Sequence, residues 1–121
     1  MKPQTNIIKS KSFAFAIRIV NLEKYLRRIK RETTLSRQLL RSGTSVGANI
    51  REGYNAESDA DFIHKFGIAQ KECDETCYWL ELLNATDYLD DKQFTSIYAD
   101  AEVLLKIIKS AILTKKRNCS R

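Results

Sequence analysis

Structure breakers are scarce in this chain. Its 121 residues include one proline, Pro3, and four glycines. That supply is too small for the many tight turns of a β-sandwich or barrel, and it points to an all-α fold. The length suits one domain with a single sizeable core. Cysteine is also sparse. An odd total of three argues against a stapling framework and for reduced thiols in a cytoplasmic protein. No apolar run approaches the ~18 residues of a membrane-spanning helix. The N-terminal stretch interrupts its apolar residues with Lys9, Ser10, Lys11 and Ser12, which makes a poor secretory signal.

Catalytic ingredients are equally thin. His64 is the one histidine, and no serine or cysteine stands at a spacing that would make it a nucleophile's base. Cys73 and Cys77 fall at i and i+4 on one helical face, which is half a metal site at most. A second ligand pair is missing, and buried cysteine behaves as a small hydrophobe. Glu72, Asp74 and Glu75 lack the Glu-x-x-His pattern of di-iron bundles. The glycines do not end in Gly-Lys-Ser/Thr, so there is no phosphate-cradling loop. A non-enzymatic protein without metal or cofactor is expected.

What the chain has in quantity is segregated charge and amphipathic helix. Residues 1–51 carry 12 Lys+Arg against 2 Asp+Glu, residues 52–105 carry 3 against 13, and residues 106–121 carry 6 against none. A basic first half is the footprint of a nucleic-acid binder. The other reading sets basic and acidic helices side by side, within one subunit or between subunits.

Residues 1–11 read as a basic arm, and the first helix is expected over about 12–31 with Ser12 as its cap. Phe15, Ile19, Leu22, Leu26 and Ile29 form its inner face, widened by Phe13, Ile17 and Val20. Thr33 and Thr34 offer the next cap, for a helix over about 35–56. Its seam reads Leu35, Leu39, Ser42, Val46, Asn49, Gly53, with Leu40, Gly43, Gly47, Ile50 and Tyr54 beside it. A glycine inside a helix costs up to ~1 kcal/mol relative to alanine, so a close neighbour is expected at Gly43 and Gly47.

Ser58 caps a third helix over 59–85, with the seam Phe62, Phe66, Ala69, Cys73, Thr76, Leu80, Leu83. A fourth is expected over about 92–116, with Phe94, Ile97, Tyr98, Ala101, Leu104, Leu105, Ile108, Ala111 and Ile112 inward, leaving 117–121 as a polar tail. Four long helices with short connections make an antiparallel up-down-up-down bundle.

The candidate nucleic-acid-binding residues are Arg18, Lys24, Arg27, Arg28, Lys30, Arg31, Arg37 and Arg41, with Tyr25 interleaved. With no base-reading motif, their contacts would be with phosphate and shape. A membrane role is set aside because the bundle needs the first helix's apolar face.

The stretches FAFAIRIVNL, LSRQLLRSGTSVGANIREG and ESDADFIHKFGIAQKECDETCYWLELL, with the closing helix, resemble the bacterial four-helix-bundle family of ribosomal RNA intervening-sequence proteins. The similarity covers roughly residues 12–115. It implies a ring-shaped homopentamer, and a fold shared with retroelement accessory proteins that bind nucleic acid and a reverse transcriptase through basic surfaces. Under that resemblance Arg41, Ser42, Gly43, Ser45, Gly47, Asn49, Glu52 and Gly53 are packing or assembly residues. Two functions stay open: RNA association through the basic helix surface, or a protein-interaction scaffold whose charge segregation serves ring assembly alone.

Overall fold

A computed structural model describes residues 3–119. Four helices follow in order: α1 Pro3–Arg28, α2 Thr34–Tyr54, α3 Asp59–Ala85 and α4 Asp91–Cys119. Each packs on its sequence neighbour, and α1 also touches α4, so the helices stand at the corners of a square. Contacts fix the directions. Gly43 lies against Ile19 while Gly47 lies against Ser12, so α1 and α2 are antiparallel. Lys65 pairs with Glu52 while Thr76 meets Ser42, which orients α2 against α3 in the same way. Lys115 pairs with Asp59 and Tyr98 with Glu81, which does so for α3 and α4. The chain is an all-α, up-down-up-down four-helix bundle.

The core runs the length of the square, with Phe15, Ile19, Leu26, Leu39, Ile50, Phe66, Leu80, Leu83, Leu104 and Ile108 among its fully buried members. The α3 seam is buried at every expected position. Burial of one Leu, Ile or Phe contributes roughly 1.5–3 kcal/mol, so this spine is the main stabilising force.

The helix ends explain the connections. Ser58 Oγ accepts from the Asp61 amide at 3.1 Å, as the sequence suggested. At α4, Gln93 N–H donates to Asp90 Oδ1 at 2.7 Å and Asp90 N–H donates to Gln93 Oε1 at 3.0 Å, a reciprocal capping box. At α2 the expected Thr33 cap makes no side-chain bond. Instead the buried Glu32 carboxylate accepts from Ser36 N–H at 2.8 Å and Thr34 N–H at 3.3 Å. A carboxylate there satisfies orphan amides and suits the positive end of the helix dipole.

Three expectations about α1 are corrected. It begins at Pro3 rather than Ser12, so residues 3–11 are helix and not an arm; Met1 and Lys2 lie outside the described residues. The reason is Ile8, 4% exposed, which extends the seam back from Phe15 by two turns while Lys9 Nζ sits 5.4 Å from the Tyr54 ring centroid. Ser12 is therefore interior, with its hydroxyl donating to the Lys9 carbonyl at 3.1 Å. Ile29 is 67% exposed because α1 stops at Arg28, and Phe13 and Ile17 are 57% and 49% exposed because they face away from the core. At the other terminus α4 runs through Arg117 and Asn118 to Cys119, so the expected tail is mostly helix, and Ser120 and Arg121 lie outside the described residues.

Candidate nucleic-acid interface

The RSGTSVGANIREG stretch forms the middle of α2 and packs on both sides. A Cβ at Gly43 would fall 2.7 Å from Ile19 Cγ1, and one at Gly53 would fall 2.6 Å from Phe66 Cδ1. At Gly47 the nearest atoms belong to Ser12 of α1, at 3.4 Å. These glycines let helices approach within the subunit. Ser42 is fully buried against Thr76, with the hydroxyl oxygens 2.9 Å apart. Ser45 Oγ donates to the Arg41 carbonyl at 2.7 Å and Asn49 Nδ2 to the Ser45 carbonyl at 2.8 Å, both within α2. Glu52 reaches across to Lys65 at 3.2 Å.

The eight candidate cations divide. Arg18 turns to α4, where it donates to Asp100 Oδ2 at 2.7 Å, Ser96 Oγ at 2.9 Å and the Ser96 carbonyl at 3.2 Å. Arg41 bridges to α3, bonding Glu72 at 2.9 Å and also Glu75, whose carboxylate additionally accepts from Trp79 Nε1 at 3.1 Å. Arg27 pairs with Glu23 one turn earlier at 2.7 Å, and the hydrogen bond and charge of Glu23 raise its pKa. Lys24, Arg28, Lys30, Arg31 and Arg37 are exposed, with no side-chain hydrogen bond or ion pair among the described residues. They cluster where α1 ends and α2 begins. Arg18 and Arg41 are thus structural links that sequence alone could not separate from the set. Tyr25 is half-buried and packs against the core.

Other chemistry is sparse. His64 is exposed. Cys73 and Cys77 are buried; the Cys73 thiol donates to the Ala101 carbonyl at 3.5 Å, and the neighbouring Cys77 thiol, together with burial, pushes the Cys73 thiol up. Among the described residues no group of three or more His, Cys, Asp or Glu side chains could hold a metal ion. No described helix is long and apolar enough to cross a membrane.

Two surface features escaped the sequence reading. A cleft of about 940 Å³ lies between the first turns of α1 and the end of α4, lined by Ile8, Tyr54, Phe62, Ile107 and Ala111. A groove of about 470 Å³ lies on the outer side of α1 and α2, lined by Lys9, Phe13, Ala16, Gly47, Ala48 and Arg51 among others. The signal for the groove was the excess width of the α1 apolar face, which one interior cannot absorb.

An antiparallel four-helix bundle with a glycine-packed second helix is the class of protein that these features define. The chain belongs to the 23S rRNA-intervening sequence protein family, whose model matches residues 4–110. It is similar to a crystal structure of a protein of the S23 ribosomal protein family from Bacteroides thetaiotaomicron, described as of unknown function. The two share 51% identity with a TM-score of 0.89, over 90% of this chain and 97% of the other. No protein with a curated description matches the chain.

Proposed function

We propose that this protein is a non-enzymatic homo-oligomer that associates with structured RNA through phosphate contacts from the α1–α2 corner. The observation that carries this is the set of five exposed cations there, Lys24, Arg28, Lys30, Arg31 and Arg37, without an anionic partner among the described residues. Fixed positive charge left uncompensated attracts a polyanion and releases its counterions. The family resemblance supports a ring of subunits, five by that resemblance, which would repeat the corner around the assembly and multiply its avidity.

The test is RNA titration over a salt series. Affinity is expected to fall by roughly 0.7–0.9 log units per decade of salt for each phosphate contacted. Replacing the five cations with glutamine is expected to abolish binding while the oligomer mass stays the same. Binding that survives that change would remove the corner from the reading.

A scaffold without RNA affinity is the second reading. The exposed apolar side chains Phe13 and Ile17 favour it, since phosphate binding has no use for them. It predicts no RNA retention at physiological salt.

A further inference from the structure

The two outer sides of the square differ in a complementary way. On the α1–α2 side, Phe13 is 57% exposed beside a floor of small residues, Ala16, Gly47 and Ala48. Arg51 borders that floor, exposed and with no hydrogen bond or ion pair. The one carboxylate lining the groove, Glu52, is already held by Lys65. Nothing inside the subunit explains an open aromatic next to an uncompensated guanidinium.

On the opposite side, α3 presents Asp74, Tyr78 and Glu81. Residues three and four apart share one helical face, so these three form a single stripe. Tyr78 is 57% exposed. Asp74 has no ion pair, and Glu81 takes only the Tyr98 hydroxyl at 2.9 Å. Lys71 ends the acidic run one turn before Asp74. Glu102 stands within electrostatic reach of Cys77, as Asp74 and Glu81 do, and Lys109 within reach of Cys73, so with Lys71 the carboxylates on this side outnumber the cations three to two.

We infer that the α1–α2 groove of one copy receives the Tyr78 stripe of a second copy, with Arg51 facing Asp74 and Glu81. This rests on the homo-oligomer reading and names its contact surfaces. The aromatic supplies a knob, the small-residue floor supplies the hole, and the charges on the two sides are opposite. A groove-to-groove pairing would oppose two cationic surfaces, so the contact is head-to-tail. Head-to-tail contacts generate rings when the rotation closes. The groove occupies the half of the α1–α2 side away from the Arg28–Arg37 corner, and that corner stays open to RNA.

Two variants at exposed positions separate the surfaces. Ala48→Trp fills the groove, and Tyr78→Arg removes the knob and opposes Arg51 with a like charge. By light scattering the wild type is expected as an oligomer, and each variant alone is expected at the monomer mass of 14.0 kDa, with unchanged helical circular dichroism. A mixture of the two retains one intact groove and one intact knob, so it is expected to form a one-to-one dimer. An oligomer that persists in either variant, or a mixture that stays monomeric, overturns the inference and leaves the homo-oligomer reading standing. A monomeric wild type overturns both.

Discussion

Ser42 and Thr76 place their hydroxyl oxygens 2.9 Å apart at the fully buried contact of α2 with α3. Thr76 Oγ1 also lies 2.7 Å from the Glu72 carbonyl, and Ser42 Oγ 3.4 Å from the Leu39 carbonyl. The two carbonyls can only accept, so the two hydroxyl hydrogens are shared among these three contacts. Thr76→Val leaves Ser42 without its strongest partner in an apolar setting, at a cost of about 1–3 kcal/mol. The double variant with Ser42→Ala is expected to lose less than the sum of the single losses, with a coupling of about 1 kcal/mol. Urea denaturation of the four proteins measures it. Additive losses would mean that the hydroxyls act independently.

The glycines of α2 and α3 are expected to respond oppositely to alanine. At Gly43 a methyl would meet Ile19 side-chain carbons at 2.7 and 2.8 Å in a filled core, whereas at Gly67 nothing lies within 4 Å. Gly43→Ala is therefore expected to destabilise by about 1–3 kcal/mol through overpacking. Gly67→Ala is expected to stabilise by about 0.5–1 kcal/mol, because alanine gives up less backbone freedom in a helix. Thermal denaturation of the two variants compares them directly. A loss at Gly67 would show that its bare surface is needed by something outside the subunit.

Much of this bundle could be read from hydrophobic spacing, and α3 shows why. Its apolar residues recur without interruption from Phe62 to Leu83, and all of that seam is buried. At α1 the spacing misled, because Ser12 and the lysines around it hide the continuation of the seam to Ile8. Periodicity also overstated the interior of α1. The width of an apolar face does not say which neighbours cover it, and Phe13 and Ile17 belong to that face without belonging to the interior. The basic site was half legible. Composition located the cations, but only tertiary placement reveals that Arg18 meets Asp100 and Arg41 meets Glu72.

Arg31 occupies the left-handed region with φ of 59°, where the chain leaves α1 and Glu32 N–H turns back to the Leu26 carbonyl at 3.0 Å. A side chain there costs about 1–2 kcal/mol, which glycine avoids. After allowing for the greater freedom of glycine in the unfolded chain, Arg31→Gly is expected to stabilise by roughly 0.5–1 kcal/mol. Arg31→Gln removes the same charge but keeps the strain, so its melting temperature is expected to stay near the wild type. If both variants shift equally, relief of charge repulsion in the basic corner is the cause, and backbone strain is not.

Tyr98 donates its hydroxyl to Glu81 at 2.9 Å, and that hydrogen bond is the largest cause pushing its pKa from 10.0 up to about 12. Below pH 10 the phenol is protonated in the folded and unfolded chains alike, so the bond is fully present. Between about pH 10 and 12 the unfolded chain releases the proton first, and the folded state holds more protons. Stability is then expected to fall as pH rises through that window. Lysines titrate there too, so the measurement is the difference between wild type and Tyr98→Phe in urea midpoints across the range. The gap between the two proteins is expected to narrow steadily with pH as the wild type loses the bond, and the variant, which keeps four other tyrosines, is expected to show a smaller tyrosinate absorbance rise near pH 12 than the wild type. A gap that stays constant through pH 12 would mean that the hydroxyl is not held by Glu81 in solution.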